Sequence, residues 1–154
     1  MLRSRCDGHL AIAEEEPQFR QRLSLAPGVG DVQHGDGVFA SEAIRRGTRI
    51  IDYAGELISA DESEEREDRY SAEGHIWVFR VNRAWSRDAN VDGNIARFIN
   101  HSCTPNCWFE VENKTIWIRA GRNIRRGEEL TYDYSIIGER TIPCRCRPGC
   151  KTKL

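Results

Sequence analysis

Long apolar runs are missing from this sequence. None approaches the ~20 consecutive apolar residues that a helical bilayer span needs, which excludes a transmembrane helix and membrane partners of that kind. An excess of one charge is missing as well. The chain has 23 basic and 24 acidic residues and a net charge of −1, so no global basic field points to direct nucleic-acid binding. The opening residues, MLRSRCDGHLAIAEEE, hold no apolar stretch followed by a small-residue cleavage site. No secretory signal is expected, and an intracellular, reducing compartment follows, where cysteines serve as metal ligands more often than as disulfides. The pattern does not distinguish nucleus, cytoplasm or a host-targeted effector. Internal repeats and low-complexity linkers are absent, and helical patterning is scarce.

What is present fits one ordinary domain. At 154 residues, with 39% hydrophobic and 31% charged, the chain is long and apolar enough to bury a core without metal or disulfide help. Residues 1–30 read as an irregular or weakly helical lead-in ending in the breaker cluster APGVG. HGDGVFA places two glycines before an apolar pair, a tight turn feeding a strand. RIIDYAGELI reads as a strand interrupted near Gly55, and HIWVFRV as a strand with Ile76 and Val78 opposite Trp77, Phe79 and Val81. WFEV and TIWIRA flank Glu112, Asn113 and Lys114 as a hairpin, and GEELTYDY supplies a last strand. One helix is expected, from Ala60 to about Tyr70. The class is mainly β.

Charge is placed unevenly. Residues 61–68, DESEERED, carry six acids and one arginine, whereas residues 145–153 carry four basic residues and no acid. An acidic run is ordinarily a solvated face, but it also forms a rim that attracts a basic peptide.

Three stretches gather groups suited to chemistry. The glycines of HGDG let backbone approach a ligand closely, although Gly-x-Gly is also a common turn. NIARFINHSCTPNC packs Asn100, His101, Ser102, Cys103, Asn106 and Cys107 into eight positions, offering amide and imidazole groups to a polar ligand. Tyr132 and Tyr134 lie two apart in ELTYDY, on one face of a strand, either as a half-buried tyrosine pair or as part of a site. Finally, CRCRPGC near the C-terminus sets Cys144, Cys146 and Cys150 within seven positions. A closed zinc site needs a fourth ligand, and spacing alone does not choose between Cys103 and Cys107.

Taken in order, HGDGVFA, YAGE, GNIARFINHSCTPNC, GEELTYDY and the terminal Cys-x-Cys…Cys resemble the SET-domain protein lysine methyltransferases that carry a post-SET zinc segment. The resemblance runs from about Gln33 to the C-terminus. It implies a lead-in at 1–30, a SET domain at 31–137 and a post-SET segment at 138–154. It also implies a fold of small sheets in which the NHSC and TYDY segments meet in a knot-like crossing. Cys6 stands alone, so no cysteine-rich module of the kind that precedes some SET domains is expected.

The same resemblance implies S-adenosylmethionine as methyl donor, held by His34, Gly35 and Asp36 largely through backbone, by Asn100 and His101, and beside Trp77, Tyr134 and Arg145. Gly37 makes room for the turn. Tyr134 matches the catalytic tyrosine, and Tyr132 the position that limits the product to mono- or dimethyllysine. Cys103 becomes the fourth zinc ligand with Cys144, Cys146 and Cys150, leaving Cys6 and Cys107 as free thiols. Two departures stand out. Trp77 replaces the usual tyrosine with an N–H donor that cannot accept, and the last two cysteines are separated by three residues, RPG, where four are usual. The expected activity is lysine methylation of a basic protein, a histone tail or a non-histone lysine. The competing expectation, carried by Trp77, is a SET-like module that binds a basic peptide or the donor with little turnover.

Overall fold

The computed structural model describes residues 23–27, 36–135, 143–144 and 146–153. Among them, short strands β1 (Leu23–Pro27), β2 (Asp36–Ala40), β3 (Arg49–Asp52) and β4 (Glu56–Ser59) precede helix α1 (Ala60–Ala72). Strands β5 (Val78–Arg80), β6 (Trp85–Asp88), β7 (Asn100–His101), β8 (Cys107–Glu112), β9 (Thr115–Ala120) and β10 (Thr131–Tyr132) follow, with a 3-10 turn at Ile95–Phe98. They form four small sheets: β1 with β2, β3-β9-β8, β4-β6-β5, and β10 with β7. The mainly β class with one helix is what the sequence implied.

One expectation is corrected. Leu23–Pro27 lies in the stretch expected to be irregular or weakly helical, yet it pairs antiparallel with β2, from Leu23 opposite Ala40 to Pro27 opposite Asp36. The segment LSLAP alternates apolar and small residues, and proline is tolerated at the end of an edge strand, where no ladder N–H is needed.

The remaining elements follow from local rules. Asn113 and Lys114, with φ of 50° and 64°, make the mirror-image turn that matches strand twist in a tight hairpin. The β8–β9 register then runs in full from Glu112 opposite Thr115 to Cys107 opposite Ala120. On β9 every second residue, Ile116, Ile118 and Ala120, is fully buried, so period-2 patterning sets which face meets the core. Ile44, Ile50, Ile99, Ile124 and Leu130 complete that core. Helix α1 starts where Ser59 Oγ accepts the Glu62 N–H at 3.2 Å, with Asp61 and Glu62 in its first turn.

The lone arginine of the acidic run anchors this helix. Arg66 reaches Asp88 Oδ2 of β6 at 2.6 Å and Glu56 Oε2 of β4 at 2.7 Å. The Tyr70 hydroxyl donates to the same Asp88 oxygen at 2.9 Å, and the Asn90 N–H donates to the other at 2.9 Å. Asp88 is completely buried, a position a carboxylate holds only when paired and hydrogen-bonded. Asp61, Glu64, Glu65 and Asp68 of the run stay exposed, while Glu67 is half-buried.

Candidate active site and metal centre

The two most polar motifs meet in the parallel pair β7–β10, where Asn100 lies opposite Thr131 and His101 opposite Tyr132. Asn106 holds them together: its Nδ2 donates to the Glu129 carbonyl at 2.7 Å, and its Oδ1 accepts the Thr131 N–H at 2.9 Å. Asn106 is buried and both ends of its amide are used on backbone. It is a clamp in the fold. Asn94, likewise, holds Asp52 with Nδ2 and the Ala96 N–H with Oδ1.

Around this pair lies an aromatic cage. The Tyr132 ring stands 4.9 Å from Tyr134 and stacks on Phe79 at 5.7 Å, while Tyr53 and Phe109 meet Phe79 edge-on at 5.1 and 4.8 Å. Tyr134 donates its hydroxyl proton to the Ile99 carbonyl at 2.9 Å, and its backbone N–H reaches His101 Nδ1 at 3.3 Å. Burial, and secondarily the Glu129 carboxylate, raises Tyr134 above its ordinary range. Burial also raises Tyr132 and Tyr53, reinforced in each by neighbouring tyrosine. All three therefore stay protonated at neutral pH. Because Tyr134 has its only proton on Ile99, its oxygen can act towards a further partner only as an acceptor.

Tyr53 was missed as a site residue. It lies in YAGE just after β3, and its hydroxyl donates to the Trp77 carbonyl at 3.1 Å. The motif was visible, but no local spacing joins position 53 to positions 132 and 134. The Trp77 ring itself turns toward α1. It stacks on His75 at 4.0 Å, meets Tyr70 edge-on at 5.5 Å, and lies 5.4 Å beneath the Arg97 guanidinium. Thus Trp77 borders the cage by backbone, with its indole in a separate stack.

Asp36 opens β2, where its carbonyl accepts from Asn100 Nδ2 at 3.4 Å. His34, Gly35, Arg145 and Cys6 lie outside the described residues.

The cysteine cluster sits against the same segment. Cys103 Sγ is 3.6 Å from Cys144 Sγ and 3.7 Å from Cys150 Sγ, and the ligand atoms of Cys103, Cys144, Cys146 and His101 all lie within 4.8 Å of one another. Four sulfurs ~2.3 Å from a tetrahedral zinc are roughly 3.8 Å apart, so the observed spacings fit. The chemistry of the donors fits too. Burial pushes the Cys144 thiol up to about 12, while hydrogen bonding by Thr152 pulls Cys150 down to about 6. A divalent cation is what would hold both as thiolates. Cys107, by contrast, is buried in β8 opposite Ala120 and pushed up to about 12 by that burial, an inert thiol.

His101 Nε2 also approaches Cys103 Sγ, at 3.5 Å. A neutral imidazole has one N–H and one lone pair. Its Nδ1 already accepts the Tyr134 N–H, so Nε2 carries the proton and donates to sulfur. His101 thus lies against the thiol cluster with its ring hydrogen-bonded to Cys103. The short RPG spacing is met by a turn: the Cys150 N–H donates to the Arg147 carbonyl at 3.1 Å, and Gly149 takes the left-handed φ of 73°. Cys144 is tied back by its N–H to the Thr152 carbonyl at 2.9 Å.

With this geometry in place, comparison with known proteins decides the family. The sequence model of the SET domain matches residues 35–135. The chain belongs to the SET-domain family. It is 42% identical over 144 residues to a Yarrowia lipolytica protein named histone-lysine N-methyltransferase, H3 lysine-4 specific, a match covering 87% of this chain and 12% of that relative. Identity to the Dictyostelium discoideum histone-lysine N-methyltransferase set1 is 43%, over 79% of this chain and 9% of the relative. This SET chain therefore spans only about a tenth of the curated relatives it matches. Among solved structures, the Chaetomium thermophilum Polycomb Repressive Complex 2 bound to GSK126 superposes with a TM-score of 0.66 at 32% identity, over 73% of this chain and 16% of that one. The same complex described as autoinhibited and bound to S-adenosylmethionine gives 0.65 at 34% identity, over 73% and 15%.

Proposed function

We propose that this SET chain is a protein-lysine N-methyltransferase that uses S-adenosylmethionine and acts on a lysine of a basic protein such as a histone, leaving mono- or dimethyllysine. The observation that carries this reading is Tyr134, held by Ile99 within an aromatic cage of buried tyrosines at the β7–β10 pair. When bound, S-adenosylmethionine supplies an electrophilic methyl group on a sulfonium sulfur. Asn100, His101 and the backbone at Asp36 are the described groups that would hold it, with His34, Gly35, Trp77 and Arg145 assigned by resemblance. Zinc would sit among Cys103, Cys144, Cys146 and Cys150 and keep the basic tail beside the same segment.

The residues of the chain have three tasks. The cage must align the lysine amine with the methyl carbon, because a displacement of this kind is governed by orientation. It must also favour the neutral amine, whose free pKa is about 10.4. Buried aromatic walls disfavour the ammonium form. Tyr134, protonated and engaged, offers its oxygen as an acceptor and orients and stabilises; abstracting a proton is not its role. Tyr132, beside it, restricts the space left for successive methyl groups.

The exposed acids of α1 favour a basic substrate through steering that weakens with salt. The family match over residues 35–135 supports a SET unit at 31–137; the lead-in at 1–30 and the terminal zinc segment at 138–154 are assigned by resemblance. Clustered thiols favour a reducing compartment.

The test is incubation with methyl-labelled S-adenosylmethionine and mixed histones or total cell protein. Label that is transferred, and cut by on the order of 10²-fold in Tyr134→Phe, supports the enzyme. The engagement of Trp77 by His75 and Arg97 favours a second reading, a module that grips donor or peptide with little turnover. Tight donor binding without transfer establishes that one instead.

A further inference from the structure

Adjacent acids in the GEEL motif do different work. Glu128 turns outward to the Arg122 guanidinium and the Arg125 N–H. Glu129 turns inward, and its Oε1 accepts from Asn100 Nδ2 at 2.8 Å. The second acceptor on that nitrogen is the Asp36 carbonyl, at 3.4 Å. Neither a carboxylate nor a carbonyl donates, so the NH₂ end of the Asn100 amide must face both, and its Oδ1 must face away. The Glu129 backbone cannot drift, because Asn106 holds its carbonyl at 2.7 Å and Phe39 bridges to it across the β2 edge.

Gly37 belongs to this arrangement. A Cβ there would come within 2.5 Å of Glu129 Oε1 and 3.2 Å of Asn100 Nδ2. The room expected at Gly37 for a ligand-facing turn is thus occupied by the Glu129 side chain. An alanine at 37 would push that carboxylate off Asn100.

We propose that Glu129 is a positioning residue that locks the Asn100 amide in one of its two flips, so that Asn100 presents an acceptor oxygen to the α-ammonium of the methyl donor. This rests on the reading that Asn100 lies in the donor site. Of the donor's hydrogen-bonding groups, the ammonium is the one that is charged and purely donating, the partner an amide oxygen beside a carboxylate best suits. Without Glu129 the amide is free to turn its NH₂ toward that cation. The carboxylate acts through Asn100, and Gly37 leaves it the space.

Isothermal titration of the full chain with S-adenosylhomocysteine and with its desamino analogue tests this. Glu129→Ala is expected to weaken S-adenosylhomocysteine about tenfold and to leave the desamino analogue within about twofold, since only the former carries the ammonium. Glu129→Gln, whose amide oxygen still accepts from Asn100, is expected to stay within about threefold of the parent for both ligands. Gly37→Ala, which retains the carboxylate but displaces it, should reproduce the selective loss and stands in if Glu129→Ala does not fold. Because the ammonium is remote from the reacting atoms, the donor KM should rise with kcat little changed. Equal weakening of both ligands, or of neither, overturns the role of Glu129 while leaving the methyltransferase reading intact. A parent chain that binds no S-adenosylhomocysteine overturns both.

Discussion

The Tyr134 hydroxyl donates to the Ile99 carbonyl at 2.9 Å across the β7–β10 pair. That single bond fixes both the direction of the phenol and its protonation. Burial raises Tyr134 above the ordinary tyrosine range, and Glu129 adds to it, so Tyr134 does not lose its proton between pH 6 and 9. Tyr134→Phe should therefore lower the transfer rate by on the order of 10²-fold at a stability cost of about 1 kcal/mol. The rise of rate with pH belongs to the substrate lysine and should persist in the residual activity of the variant. Rates and melting temperatures across pH 6–9 check this; disappearance of the pH limb in Tyr134→Phe would make Tyr134 the titrating group.

Tyr132 stands 4.9 Å from Tyr134 with its other side against Phe79. Removing its hydroxyl enlarges the cage by one oxygen while leaving the ring contacts in place. Tyr132→Phe should shift the product toward trimethyllysine, read by mass spectrometry of the modified peptide. Trimethyllysine as the main product of the parent chain would contradict the assignment.

The motifs that named this site are local, and that is why they were legible. RFINHSC and ELTYDY each sit within a few residues, and the hairpin read from WFEV and TIWIRA is the β8–β9 pair. What escaped detection was long-range. Tyr53 joins Trp77 across 24 positions. Arg66 looked like the exception in an acidic surface run, yet its partner Asp88 is 22 positions away and wholly buried. Asn106, read within a ligand-binding cluster, closes on Glu129 and Thr131 instead. GEELTYDY was expected to supply a last strand; Thr131–Tyr132 form β10 and Glu129 adds a single bridge to Phe39.

The thiol cluster makes a claim about metal content. One zinc per chain is expected by elemental analysis, and Cys103→Ser should lose it, since Cys103 lies within 3.7 Å of two of the terminal thiols. His101→Gln should retain the full zinc stoichiometry, because the imidazole proton on Nε2 faces the sulfur and leaves no lone pair for the metal. Loss of zinc in His101→Gln, with zinc kept in Cys150→Ser, would exchange these two ligands. Activity need not be measured to decide it.

Helix α1 depends on one buried ion pair. Asp88 is fully buried and accepts from both Arg66 and Tyr70. Arg66→Met leaves the carboxylate without its cation, a loss of about 3–5 kcal/mol and a Tm drop on the order of 10 °C. Tyr70→Phe removes one neutral donor and should cost about 1 kcal/mol. Urea unfolding of both variants checks the ranking. Similar costs for the two would mean that the Asp88 charge is carried by hydrogen bonds rather than by Arg66.

Acid should loosen the turn that leads into β10. The Arg122 guanidinium holds the Glu128 carboxyl down to about 2, with help from the Arg125 N–H and Asn106. A carboxyl depressed in the folded state contributes stability above its unfolded pKa, near 4.3, and loses it as pH falls toward 2. In that window the unfolded chain binds more protons, so stability rises with pH. The Arg122 side chain is 55% exposed, so screening reduces the contribution of this pair to about 1 kcal/mol. Glu110, held low chiefly by Arg119, acts in the same direction. Glu128→Gln should therefore flatten, without abolishing, the fall of Tm between pH 4.5 and 2. An unchanged slope in that variant would show that the Arg122 pair does not set the folded-state titration of Glu128.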